Sequence, residues 1–143
     1  MTQNELYFLS PSHQRSLMAE GWAQKTGISG WKFDSGGWVD ARTNIFSVEA
    51  MKELCIDISK KKKKKAEFHK LDNASVIIAI HDFEEDLEFE IPHHCQKKVV
   101  HWNLPNPEKR AKTPIEQWVI YQELCDSLAI KVKSLQDVLD TIT

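Results

Sequence analysis

A chain of 143 residues with 41% apolar content can bury one sizeable core, so a single domain over residues 1–143 is expected and no second one. No apolar run approaches the ~18 residues of a membrane span, and the first five residues are polar rather than signal-like. Three widely spaced cysteines, Cys55, Cys95 and Cys125, lack a CxxC pair, which argues against a disulfide framework and for a reduced, cytoplasmic protein with no membrane partner.

The net charge of -2 conceals an unbroken run of lysines from Lys60 to Lys65. With that run set aside, acidic residues clearly outnumber basic ones, so nucleic acid is disfavoured as a partner and the run points to a local contact.

The apolar residues Leu6, Tyr7, Phe8 and Leu9 predict a first strand, followed by a Ser-Pro-Ser loop. From Arg15 the positions of Leu17, Met18, Trp22 and Ala23 predict a helix. Trp31 to Asp34 reads as a second strand that ends at Ser35-Gly36-Gly37. After it, Asn44 can cap a helix carrying Phe46, Val48, Met51 and Leu54. The β-branched run from Ser75 to Ile80 has the composition of a strand covered on both faces and is placed at the sheet centre. A fourth strand fits Lys98 to Trp102. A long helix then starts at Pro114 behind Thr113 as N-cap, with Ile115, Trp118, Val119, Gln122, Leu124 and Leu128 as its apolar stripe.

Strands alternating with helices in one compact length predict an α/β domain: a four-stranded parallel sheet flanked by helices, Rossmann-like in its three layers. Ligands of such sheets bind at the carboxyl ends of the strands, where the loop of Ser10 to Gln14 would lie. Strand, short polar loop, arginine and helix is the arrangement that cradles a phosphate-like anion.

Five segments in this order resemble the low-molecular-weight protein tyrosine phosphatase superfamily, and most closely its thioredoxin-coupled arsenate reductases: "RSLMAEGWA" from Arg15, "DSGG" from Asp34, "AMKELCIDIS" from Ala50, "LDNASVIIAI" from Leu71 and "HWNLPNP" from His101. The resemblance runs over nearly the whole chain and implies that superfamily's fold.

It also implies a reaction whose parts have been replaced. Those enzymes use a cysteine, five loop residues and an arginine. Counting back from Arg15 puts Leu9 at the cysteine position, or Ser10 if the loop is one residue shorter. Leucine has no nucleophilic atom, and a serine alkoxide is far less accessible than a thiolate. Pro11 stands where glycine is common and removes one N–H from the cradle. The general-acid aspartate of a D-P pair is matched by Asn106-Pro107, and an amide cannot deliver and recover a proton. Of the two relay cysteines, the first position is near His81, and no cysteine follows until Cys95.

A pseudoenzyme is therefore expected, with no intact catalytic residue and no cofactor. It would keep an anion-binding cradle of Ser10, Ser12, His13, Gln14, Arg15 and Ser16 for phosphate, sulfate or a phosphorylated or acidic protein. Arg15 could instead tie the loop together through carbonyls and acidic side chains.

The superfamily's potassium site would retain Glu20 and Ser35, with Ser12 for an asparagine and Ser75 for an aspartate, which weakens cation binding. The His93-His94-Cys95 tripeptide, with His81 or His101, offers soft ligands. Adjacent residues rarely converge on one ion, however, so it is read as a polar surface loop and no metal is expected. Trp38, after the glycines, is a candidate exposed aromatic. The alternatives are an enzyme of altered chemistry using Ser10 or Cys95 with Arg15, and an adaptor acting through Lys60 to Lys65, although such runs are usually solvated. A monomer is favoured.

Overall fold

The computed structural model describes residues 4–39, 44–61 and 64–142. Its elements are β1 (Asn4–Ser12), α1 (Arg15–Thr26), β2 (Trp31–Val39), α2 (Ile45–Lys52), α3 (Phe68–Asn73) and β3 (Val76–His81). A 3-10 turn (His93–Lys98), β4 (Val99–Asn103), α4 (Pro107–Arg110) and α5 (Pro114–Ile142) follow. All strands are parallel in the order β2-β1-β3-β4, which is the expected four-stranded sheet.

The period of two along each strand divides the core. Leu6, Phe8, Ile78 and Ile80 face the larger cluster, which α1, α2 and α5 complete through Leu17, Met18, Met51, Leu124 and Leu128. Tyr7, Leu9 and Ile77 face the other side with Leu71 of α3, Ala74 and Cys95. Both faces of β1 and β3 are thus covered, as the β-branched run predicts. Each such large side chain stabilises the fold by about 1.5–3 kcal/mol relative to exposure.

The expected caps are present. Asn44 Oδ1 accepts from the N–H groups of Phe46 and Ser47, and Thr113 Oγ1 accepts from the Glu116 N–H. The stripe of α5 needs correction, because Ile115 is 76% exposed and Val119 43% exposed. Trp118 packs against the core only partly, and the buried stripe of α5 consists of Tyr121, Leu124, Cys125, Leu128, Val132, Leu135 and Leu139. Among the described residues no helix is long and apolar enough to cross a membrane.

The largest departure from expectation is where the first two strands end. β1 runs on through Ser10, Pro11 and Ser12, and β2 runs through Gly36 and Gly37 to Val39. Ser10 pairs with Gly37 and Ser12 with Val39. The glycines permit this. A Cβ at Gly36 would lie 2.1 Å from the Tyr7 hydroxyl, and one at Gly37 2.4 Å from the His13 nitrogen. Gly-Gly here marks a close approach of two chains rather than a strand end.

Candidate functional site

The residues expected to cradle an anion gather at the carboxyl end of β1, between strand and helix. Alternation along β1 sends Leu9 into the second cluster, fully buried beside Tyr7, Leu71 and Ile77. Ser10, on the opposite face, turns towards α1: its Oγ accepts from the Ser16 N–H at 3.2 Å and lies 2.6 Å from Ser16 Oγ. Ser10 Oγ also donates to the Ser12 carbonyl, which accepts from the Gln14 N–H at 2.8 Å. Two amides at the mouth of the helix, those of Gln14 and Ser16, are thereby engaged within the segment itself.

Arg15 is 2% exposed. One Nη donates to the Leu104 carbonyl at 3.1 Å, and the other lies 2.9 Å from Asp86 Oδ2. Asp86 belongs to the loop after β3 and is held on all sides. Oδ2 also accepts from the Asp82 N–H at 2.8 Å, while Oδ1 accepts from Asn106 Nδ2 at 2.8 Å and lies 3.3 Å from Lys109 Nζ. Burial pushes its carboxyl up, but the Asp82 N–H, the Arg15 charge and the Asn106 amide together hold it below the ordinary carboxylate value. Asp86 is an anion supplied by the chain, seated on the arginine.

Asn106 is built into the same network. Its side-chain oxygen caps α4 by accepting from the Glu108 and Lys109 N–H groups, with Pro107 at the first helical position, and its own N–H donates to Asp82 Oδ2. Asp82, fully buried, takes a two-pronged bond from Arg110, whose Nη2 lies 2.8 Å from Oδ1 and whose Nε donates to Oδ2. That bond, joined by backbone N–H donors, holds the Asp82 carboxyl far below its ordinary value.

Sequence reading missed Asp82, Asp86, Lys109 and Arg110. The available signal was the acidic cluster Asp82, Glu84, Glu85 and Asp86 at the carboxyl end of the central strand, where an α/β sheet places its ligands. Outside this network a cleft of about 360 Å³ opens between Pro11, Trp38, Phe89 and Lys109, with Asp86, Glu88 and Glu108 in its wall. Trp38 is half-buried rather than free, and its Nε1 donates to the Glu90 carbonyl at 2.8 Å.

The candidate cation residues divide. Ser35 Oγ donates to Glu20 Oε1 at 2.6 Å, while Ser12 lies four rungs further along the β1–β2 ladder. A cationic group already meets Glu20: Lys61 Nζ lies 2.9 Å from Oε2. Ser35 in turn joins His13. Because His13 Nδ1 accepts from the Lys64 N–H at 2.7 Å, Nε2 carries the proton and donates to Ser35 Oγ at 2.6 Å.

Of the lysine run, Lys60, Lys64 and Lys65 are exposed, yet Lys61 and Lys64 each meet an acidic side chain of the fold. Lys62 and Lys63 lie outside the described residues. Lys64 pairs through Nζ with Asp34 at 2.6 Å, and the segment beside it bonds to the sheet edge, Gly37 N–H to the Lys64 carbonyl and Ala66 N–H to the Gly37 carbonyl. Lys64 to Ala66 thus lies along the otherwise open edge of β2.

Asp34 also takes Lys70 at 2.6 Å. Burial raises its carboxyl, but the two ammonium groups and the Ser35 N–H outweigh this and bring it from 3.8 to about 2. A carboxylate whose folded value is depressed contributes stability that is full above its unfolded value and lost as pH falls through the folded one. The thermal midpoint is therefore expected to fall as pH drops from 3.8 towards about 2. Asp34→Asn should flatten part of that decline, and identical acid profiles for the two proteins would refute it.

Cys95 is fully buried in the second cluster, with Asp72 Oδ1 4.0 Å from its thiol. The expected polar surface loop is instead a 3-10 turn whose cysteine faces inwards.

No family profile matches the chain. It is 31% identical over 134 residues to an arsenate reductase of Bacillus licheniformis, which covers 93% of this chain and 95% of that protein. Among solved structures it superposes on an arsenate reductase in the phosphate binding state with a TM-score of 0.77 at 20% identity, over 94% of this chain and 98% of the other. It superposes on the low-molecular-weight protein tyrosine phosphatase of T. tengcongensis with a TM-score of 0.72 at 20% identity, over 95% and 99%. With the parallel sheet, the strand-to-helix arginine at Arg15 and this likeness over almost the full length, the chain belongs to the arsenate reductase family and has the low-molecular-weight phosphatase fold.

Proposed function

We propose that this chain is a non-catalytic member of its family, a binding or regulatory protein whose oxyanion cradle is filled from within. The observation that carries the reading is the buried contact of Arg15 with Asp86, 2.9 Å apart with side-chain exposures of 3% and 1%. An oxyanion would have to displace that carboxylate and enter beside Asp86, Glu88 and Glu108, all of like charge.

The remaining parts support the same reading. Leu9 has no nucleophilic atom and faces the second cluster, Ser10 is spent on the helix mouth, and Asn106 serves as a cap. Without the general acid alone, ~10²–10⁴-fold of rate would be forgone. Free cysteines at Cys55, Cys95 and Cys125 fit the reducing compartment expected for it.

Purified protein is expected to show no aryl phosphate hydrolysis and no thioredoxin-dependent arsenate reduction above a heat-treated control. Phosphate should bind with Kd near or above ~1 mM, equivalent to only about 4 kcal/mol. Turnover that disappears in Ser10→Ala or Cys95→Ser would replace this reading with an enzyme of altered chemistry.

A further inference from the structure

Away from the cradle, three side chains of different chemistry converge at the far side of the sheet. Asp72, in the last turn of α3, places Oδ1 2.6 Å from His94 Nε2 and 4.0 Å from Cys95 Sγ, and all three donor atoms lie within 4.8 Å of one another. We propose that Asp72, His94 and Cys95 form a binding site for a borderline-soft divalent metal ion of the zinc class.

Convergence of two adjacent residues needs a backbone that turns them separately, and the 3-10 turn provides one. Successive side chains there are about 120° apart, at three residues per turn. Cys95 is carried into the core while His94 lies over Asp72 at the surface. The turn is closed by the Cys95 N–H on the Pro92 carbonyl at 2.9 Å and by Gln96 Nε2 on the Ile91 carbonyl at 3.0 Å. Lys98 then ties it to the end of α3, donating to the Asp72 carbonyl at 2.9 Å and the Ala74 carbonyl at 2.8 Å. The donor atoms are thus held together before any ion arrives.

The separations suit an ion between them. In a tetrahedral site with zinc 2.0 Å from N or O and 2.3 Å from S, neighbouring donor atoms lie roughly 3.3–3.5 Å apart. The observed 2.6 and 4.0 Å straddle that spacing, so small rotations of the exposed Asp72 and His94 side chains accommodate the ion.

A thiolate, an imidazole and a single carboxylate select zinc-like ions over magnesium or calcium, which require oxygen ligands. The Cys95 thiol proton leaves to solvent as the metal–sulfur bond forms, and His94 binds neutral. Thiolate and carboxylate together outweigh the nearby Lys98 ammonium. The half-exposed His94 and Asp72 leave the remaining coordination position open to water.

The test is titration of the reduced, metal-stripped full-length protein with Co²⁺. A thiolate-to-cobalt absorption band that saturates at one ion per chain and is displaced by Zn²⁺ is expected. Cys95→Ser should abolish the band. His94→Ala and Asp72→Asn, both at exposed positions, should weaken binding at least about tenfold, a loss that even an outer-shell partner commonly causes. Cys55→Ser and Cys125→Ser should change nothing. No thiolate band at millimolar cobalt, or full binding retained in His94→Ala, would overturn the proposal, and the latter decides it even if Cys95→Ser does not fold.

Discussion

Asp86→Ala is expected to lower the stability of the protein by about 3–5 kcal/mol, the usual cost of removing one partner from a buried ion pair. The loss is large because Asp86 accepts from Arg15, Asn106 and the Asp82 N–H together, and its removal leaves the Arg15 guanidinium in a site with almost no water. The same substitution should convert the site into an anion receptor. Phosphate or sulfate at tens of millimolar should recover part of the lost midpoint in the variant, through the mass action of a ligand that binds only the folded chain, and recover far less in the parent protein. Denaturant unfolding with and without phosphate measures both effects. A variant as stable as the parent would show that the Arg15–Asp86 contact does not organise the cradle. A destabilised variant indifferent to phosphate would show that Asp86 is structural but does not stand in for an anion.

Gly37→Ala should be nearly as severe, with a cost of about 3 kcal/mol, at the upper end of the range for overpacking. The added Cβ would meet the His13 nitrogen at 2.4 Å, the Ser12 carbonyl carbon at 2.6 Å and Ser12 Cα at 2.9 Å, all backbone atoms that no rotamer change can move. The end of β1 would separate from β2. With it would go the His13–Ser35 bond and the Lys64 to Ala66 segment that bonds to Gly37. Gly21→Ala is the fitting control, because its new methyl meets only side-chain carbons of Ile56, Ile58 and Met51 at 3.1–3.4 Å and gains helix propensity. Equal thermal midpoints for the two variants would exclude the close approach as the reason for glycine at 37.

Regular local chemistry made the framework legible in the sequence. The β-branched run that became β3, the capping residues Asn44 and Thr113 and the period-two apolar residues of β1 each act within a few residues of themselves, so composition alone placed them. The absence of a thiol at residue 9 and of a carboxyl at residue 106 was equally plain, since a missing atom needs no fold to reveal it. What Arg15 meets at the end of β1 was decided only by tertiary structure. Arg15 and Asp86 are 71 positions apart along the chain and meet because β1 and β3 are neighbours whose carboxyl ends share one edge. The ion pairs of Lys61 and Lys64 were not legible because their partners, Glu20 and Asp34, are distant in sequence and reach them only once α1 and β2 are in place. Cys95 looked like part of a surface loop for a similar reason: a 3-10 turn between β3 and β4 rotates it inwards, and α3 brings Asp72 to meet it. Charges and thiols carry no period, so their partners are set by which strand ends and helix ends the folded sheet brings side by side.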